Sequence, residues 1–212
     1  MNKETSRVGV FIIESLSFSN EKADLFEGKM LSNILQLNQI ANEYYYIRTK
    51  QELEEVIKEF QKSNLRYLHI SCHGAEKAIA LTLDDVPYND LGIILKPYIK
   101  KRRIFLSACS SVNNHIAAAV IPRGECYSII GPTNDIEFRD ANIMWSSFYH
   151  LMFKGNAEYM LRDDLIKNIQ KIVNTFGQPM TYYSWSKSKG VKRTGFKVQT
   201  TTTTINESTQ LE

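Results

Sequence analysis

Leu68-His69-Ile70-Ser71-Cys72-His73-Gly74 and Arg103-Ile104-Phe105-Leu106-Ser107-Ala108-Cys109-Ser110-Ser111 decide the fold. Each is an apolar run that stops at a residue able to do chemistry. Strands buried on both faces of a parallel sheet read as continuous apolar runs, and ligands of such sheets sit in the crevice outside the strands' carboxyl ends. The two runs therefore predict central strands that deliver His73 and Cys109 to one shared edge. Their separation of 36 residues (109 − 73) fits one helical crossover.

Working outward, the chain supplies the alternation such a sheet needs. Residues 7–14 read as a first buried strand, followed by polar turn residues at 15–19. Phe26, Met30, Ile34, Leu37 and Ala41 recur at helical steps, which predicts a helix with these side chains on one face. Residues 44–48 are aromatic and β-branched enough for a second strand. Thr49 and Glu52 have the spacing of a capping box that opens a helix with Leu53, Val56, Ile57 and Phe60 as its stripe. Residues 66–72 make the third strand, 78–83 a short strand or hairpin before an Asp84-Asp85 turn, and 89–98 a helix with Pro97 near its end. Residues 102–109 make the fourth strand, and Asn113 or Asn114 caps an alanine-rich helix that Pro122 terminates. The fifth strand is 127–130; Asp140 caps a helix with Met144, Phe148 and Met152 on one side, and Leu161, Leu165, Ile169 and Ile172 mark another that ends before Gly177 and Pro179.

This alternation predicts an α/β fold, a three-layer sandwich whose mainly parallel sheet is flanked by helices. Residues 182–185 and 196–200 pair as a carboxyl-terminal hairpin around a loop holding Lys187, Lys189, Lys192 and Arg193. The expected organisation is a main domain over 1–180, the hairpin over 181–200 packed on it, and a flexible tail over 201–212.

Composition narrows the function. At 212 residues with 43% hydrophobic content the chain suits one domain with a sizeable core. A net charge of +3 is too small to imply nucleic acid by itself, and no glycine-rich phosphate loop accompanies the basic clusters at Lys96–Arg103 and in the hairpin loop. The run from Val8 to Ile13 is too short for a signal-peptide core or a membrane span, so no membrane association is expected. Three cysteines, Cys72, Cys109 and Cys126, make neither a disulfide framework nor a metal-type pair, which suits a reducing cytoplasm and leaves no metal or other cofactor implied.

A thiol needs a positioned base to become a good nucleophile, and a cysteine with a histidine brought near it by the fold is such a constellation. An ordinary buried cysteine and a strand-capping histidine would leave the same two letters. Local grammar favours the catalytic alternative. The chain resembles the caspase-like cysteine peptidases, and among them the bacterial CHAT-type branch, at His73-Gly74, at Ser107-Ala108-Cys109, and over Ser128-Ile129-Ile130-Gly131-Pro132-Thr133-Asn134-Asp135 with the aromatic helix through Trp145, Phe148 and Tyr149. The resemblance covers about residues 8–154 and implies the same architecture.

It also implies peptide hydrolysis, with Cys109 attacking the scissile carbonyl, His73 as general acid and base, and the backbone N–H groups of Gly74 and Cys109 holding the oxyanion. Ser107, Asn134, Asp135 and Glu137 are the residues the resemblance places around a substrate side chain, where Asp135 and Glu137 would attract Lys or Arg. The metacaspase-like pattern has an acidic residue where this chain has Ser107. The expected partners are a protein substrate and an activating protein, with a role in bacterial signalling or antiviral, cell-death-associated defence. Cys72 alternates with His73 and is expected in the core, His69 is expected to be packed rather than catalytic, and His115 and His150 are assigned nothing. Two other classes stay open. One is a catalytically silent module that holds a peptide or ligand in the same crevice, and the other is a nucleic-acid sensor using the basic hairpin.

Overall fold

The computed structural model describes residues 6–121, 126–155 and 159–199. The first half of the chain forms β1 (Arg7–Glu14), α1 (Phe18–Lys22), α2 (Glu27–Leu37), β2 (Asn42–Tyr46), α3 (Lys50–Ser63) and β3 (Leu65–Ser71). Three short strands follow, β4 (His73–Gly74), β5 (Ala78–Ala80) and β6 (Asp85–Pro87), then α4 (Tyr88–Leu95), β7 (Arg103–Ser107) and α5 (Asn114–Val120). The chain continues through β8 (Ser128–Pro132), α6 (Phe138–Gly155), α7 (Arg162–Phe176), β9 (Met180–Ser186) and β10 (Gly190–Phe196).

The main sheet runs β10-β9-β8-β7-β3-β1-β2. Its last five members are parallel, β9 is antiparallel to β8, and β10 is antiparallel to β9. β4, β5 and β6 make a separate antiparallel sheet. Period-two alternation sorts the strand side chains between two cores. Phe11, Ile13, Leu68, Ile70, Ile104 and Leu106 pack with α3, α4 and α5 on one face. Val10, Ile12, Tyr67 and Phe105 pack with α2, α6 and α7 on the other, where Trp145, Phe148 and Tyr149 surround Phe105. This is the predicted three-layer α/β sandwich with a mainly parallel sheet.

Local signals hold where side chains meet their own backbone. Thr49 and Glu52 form the full capping box, Asn113 caps α5 through the amides of His115 and Ile116, and Gly177 ends α7 in the left-handed conformation that suits a residue without a β-carbon. Asp140 sits in the first turn of α6 rather than capping it.

Other expectations shift. The helix expected to bury Phe26, Met30 and Leu37 buries Glu27, Gly28, Leu31 and Leu35 instead, and Met30 and Leu37 are 52% and 83% exposed. The apolar period was real but one residue out of phase, because Glu27 and Gly28 are held inward by polar contacts that hydropathy does not see. β2 starts and ends two residues earlier than expected, and Asp85 begins β6 rather than completing a turn. The hairpin is tighter than expected, since Gly190 pairs with Ser186 and Lys192 and Arg193 lie in β10 itself. Pro122 and the tail beyond residue 199 fall outside the described residues.

The junction of β1 and α2 carries a buried acid. Glu14 accepts from the amides of Gly28 (2.6 Å) and Lys29 (3.1 Å) and from the Tyr44 hydroxyl (2.8 Å), so one side chain satisfies the open N-terminus of α2. Burial dominates over these bonds and pushes its carboxyl up to about 7. The folded protein therefore holds a proton that the unfolded chain releases above the ordinary carboxylate range, so this group's contribution to stability is largest at acidic pH and declines as pH rises to about 7. Thermal unfolding of wild type and Glu14→Gln across that range checks it. The advantage of wild type over the variant should shrink with rising pH, and a constant difference would contradict the assignment.

Candidate active site

β3 and β7 are adjacent and in register, with Ser71 opposite Ser107. Two residues beyond each serine stand His73 and Cys109, so the pairing that aligns the strands also brings imidazole and thiol to the same rim. Both line one cavity of about 390 Å³, together with Asn20, Leu25, Ile136 and Phe138. The backbones meet there as well. A β-carbon on Gly74 would come within 2.9 Å of the Cys109 amide nitrogen and would overlap the Cys109 carbonyl and the Ser111 hydroxyl. Glycine is required at position 74 by this close approach.

His73 is half-buried and firmly placed. Its Nε2 lies 2.7 Å from Asn20 Oδ1, and its ring meets Phe138 edge to face at 5.2 Å. An amide oxygen can only accept, so Nε2 carries the proton and Nδ1 is left with a lone pair. Burial lowers the pKa of His73 below its ordinary value, which keeps the ring neutral at pH 7. Asn20 is in turn fixed by α1, whose N-cap Ser17 bonds to its side chain and accepts from its amide. Glu21 of the same short helix binds Tyr46 and makes two bonds to Arg48, at 3.1 and 2.7 Å, which pins α1 against the end of β2.

Cys109 is partly exposed, and its Sγ rests against the backbone of Ile136, 3.5 Å from the nitrogen and 3.4 Å from the oxygen. No hydrogen bond joins the thiol to His73. The following loop is tied down by Ser111 Oγ donating to the Cys109 carbonyl (2.9 Å), Ser110 Oγ to Asp135 (2.8 Å) and Asn113 Nδ2 to Glu76 O (2.9 Å). Cys72 and Cys126 are buried, and burial pushes the Cys72 thiol far up and that of Cys126 up to about 12. Cys72 is buried in the core as expected, although it also borders the cavity that His73 and Cys109 line.

The residues expected around a substrate side chain separate. Ser107 and Glu137 line the cavity, whereas Asn134 and Asp135 do not. Ser107 is buried, and its hydroxyl donates to Glu27 Oε2 at 2.8 Å. Glu137 is paired with Arg139 at 3.0 Å, and both stand exposed at the cavity's rim. The rest of the wall is largely apolar: Leu25, Ala108, Ile136, Phe138 and Ala141.

Beneath this wall lies a polar cluster that the hydropathy pattern concealed. Glu27 Oε2 accepts from Ser71 (2.7 Å) and Ser107 (2.8 Å), while Oε1 lies 3.4 Å from His69 Nε2, and the other nitrogen of His69 meets the Tyr149 hydroxyl at 3.1 Å. His69 is fully buried, 5.3 Å from Trp145, and packed rather than exposed to the cavity. Glu27 and Asn20 are the polar residues of the site that the sequence did not single out, and Leu25 and Phe138 of its apolar wall were likewise unmarked. A polar residue inside an apolar helical window was the available signal for Glu27, and nothing local marked Asn20. No group of His, Cys, Asp and Glu able to hold a metal ion occurs among the described residues.

The architecture is that of the caspase-like peptidases. Among solved structures, the chain is similar to a secreted C11 cysteine protease from Bacteroides thetaiotaomicron, iotapain, with a TM-score of 0.57 at 9% identity, covering 84% of this chain and 66% of that one. The same protease in complex with an irreversible peptide inhibitor superposes equally, with a TM-score of 0.57 at 10% identity and coverage of 84% and 66%. This chain thus spans just under two-thirds of the length of those proteases, and at such identity the likeness is one of fold. No family model and no curated protein matches it.

Burial sorts the three thiols for a simple check. Iodoacetamide should label Cys109 alone in the folded protein and reach Cys72 and Cys126 only after denaturation; labelling of Cys72 at a similar rate would contradict its placement. Gly74→Ala should cost stability and slow that labelling, because the methyl group has no room without moving the Cys109 backbone.

Proposed function

We propose that the protein is a cysteine endopeptidase of the caspase-like kind, with Cys109 as nucleophile and His73 as its acid-base partner. The observation that carries this is a single cavity at the carboxyl edge of the sheet lined by a partly exposed thiol and a neutral, firmly oriented imidazole. The likeness in fold to a cysteine protease with a bound peptide inhibitor supports it.

In this mechanism His73 Nδ1, the ring nitrogen not engaged by Asn20, takes the thiol proton as the peptide enters. Thiolate sulfur then attacks the scissile carbonyl, and the same imidazole returns the proton to the leaving amine. In the unliganded cavity the thiol rests on Ile136, and catalytic hydrogen bonds commonly tighten only when substrate is bound. Asn20 acts on the reaction through His73: by accepting from Nε2 it fixes the tautomer that leaves Nδ1 free. The tetrahedral oxyanion is held by the amides of Gly74 and Cys109, which the absence of a side chain at 74 allows to sit side by side.

The substrate's side chain packs on Leu25, Ile136 and Phe138. Glu137 is the cavity's rim acid, and Arg139 offsets its charge, so a basic residue gains less here than the sequence suggested. Ser107 shapes the floor while its hydroxyl is committed to Glu27. Asn134 and Asp135 stand outside this cavity and meet only a longer stretch of substrate. The three free thiols suit a reducing cytoplasm. A protein activator and a role in bacterial signalling or defence-associated cell death are carried over from the resemblance and belong to the same proposal.

Wild type expressed beside candidate substrates should release fragments that Cys109→Ala does not. His73→Ala should lower turnover by about 10²–10⁴-fold, and Asn20→Ala should lower kcat with little change in KM while leaving Cys109 accessible to alkylation. Fragment release that persists in Cys109→Ala overturns the proposal.

A further inference from the structure

The parallel strands begin at the edge of the sheet opposite His73 and Cys109, and two adjoining cavities open there. The larger, of about 440 Å³, is lined by Arg66, Lys101, Arg103, Tyr127, Tyr159 and Arg162 among others. The smaller, of about 210 Å³, shares Arg103, Tyr127 and Arg162 and adds Trp185. No Asp or Glu lines either cavity among the described residues. Nor does a described carboxylate lie within ion-pair distance of any of the four cations.

Two of those cations are held by neutral acceptors, which fixes their position without cancelling their charge. Arg66 donates from Nε to Ser6 Oγ at 3.0 Å and from Nη2 to the Ser6 carbonyl at 3.2 Å. Arg103 donates from Nη1 to Ser128 Oγ at 2.9 Å and from Nη2 to the Met160 carbonyl at 3.2 Å. Aromatic rings stand beside them: the Arg66 guanidinium lies 4.5 Å from the centre of Tyr159 and that of Arg103 lies 5.7 Å from Tyr127. Tyr127, Tyr159 and Trp185 are 48%, 47% and 38% exposed, so three large aromatic side chains present surface to solvent at one edge.

Cations with no described carboxylate beside them, two of them held in place, select for a phosphate, and exposed rings select for a flat partner that stacks. One ligand class has both. We infer that this edge of the sheet binds nucleoside phosphates, as a mononucleotide or as successive nucleotides of a single strand, with phosphate on Arg66, Lys101, Arg103 and Arg162 and base on Tyr127 or Trp185. A phosphorylated protein would use the cations but leave the rings idle. The site is remote from the thiol, since Cys109 lies six residues beyond Arg103, about 20 Å at strand rise. It therefore stands whether or not Cys109 is a nucleophile.

Fluorescence anisotropy of a short labelled oligothymidylate with the full chain tests this, with ATP and inorganic polyphosphate as competitors. Binding should weaken as salt rises, and Lys101→Glu/Arg162→Glu, at two exposed positions, should lower affinity about tenfold or more. Lys171→Glu/Lys197→Glu carries the same charge change outside the cavities and should leave binding nearly intact. Tyr127→Ala should lower affinity for the oligonucleotide about fivefold or more while polyphosphate binding is unchanged. Stacking should also quench Trp185, the exposed member of the two tryptophans. Displacement by ATP identifies a mononucleotide site, and resistance to it identifies a strand; either supports the inference. It is overturned if the oligonucleotide does not bind, if both charge-reversal pairs weaken binding equally, or if Tyr127→Ala has no effect and polyphosphate competes as well as the oligonucleotide.

Discussion

The Glu27 carboxylate joins the ends of the two strands that carry the candidate chemistry. Its Oε2 accepts one hydrogen bond from the Ser71 hydroxyl on β3 and another from that of Ser107 on β7, residues that are already partners in the parallel register. Two residues further on, the strands give way to His73 and Cys109. A slip of one position would turn each side chain to the opposite face, so the clamp on the serines is also a constraint on which way the imidazole and the thiol point. A buried carboxyl is costly unless its oxygens are satisfied; Oε2 has both serines, whereas Oε1 has only the near approach of His69 Nε2 at 3.4 Å, neither of these two atoms being hydrogen-bonded, and His69 is held through its other nitrogen by Tyr149. The two serine hydroxyls of the pocket floor are thereby committed to Glu27, and the freedom to react is left to the two residues above them.

The same sheet separates two kinds of chemistry by its two edges. Where the strands end, side chains are short or apolar and the local acids are either clamped, as Glu27 is, or paired, as Glu137 is with Arg139. Where the strands begin, Arg66 and Arg103 enter the sheet from a rim rich in cations and exposed rings. β3 and β7 run from one edge to the other, so each of the two central strands starts at the cation-rich rim and leads into a residue of the candidate site at the other. This is a consequence of parallel topology, in which all strands start together and end together.

How much of this the sequence disclosed depends on the length scale of the interaction. The two apolar runs located β3 and β7, and period-two alternation placed Cys72 in the core and His73 outside it, because burial of a strand is written in consecutive residues. Capping at Thr49 was equally legible, and that of α5 was narrowed to Asn113 or Asn114, each cap being a bond between a side chain and a backbone a few positions away. The face of α2 was not. Phe26, Met30 and Leu37 present a good apolar period, yet the fold turns Glu27 and Gly28 inward to meet Ser71, Ser107 and Glu14, contacts that span 14 to 80 positions of sequence. Asn20 escaped for the same reason, since its partner His73 lies 53 residues away and α1 is only five residues long. Ser107 borders the cavity, but its engagement with Glu27 could not be read from its neighbours.

The central claim is that this shared rim makes the His73 imidazole the base for the Cys109 thiol. The rate constant for alkylation of Cys109 by iodoacetamide at neutral pH, compared between wild type and His73→Ala, tests it without need of a substrate. If the account is right, removing the imidazole slows alkylation by about tenfold or more while the thiol stays equally accessible to a neutral disulfide probe in denaturant. An alkylation rate that is the same with and without His73, in a variant whose fold is intact, would contradict it.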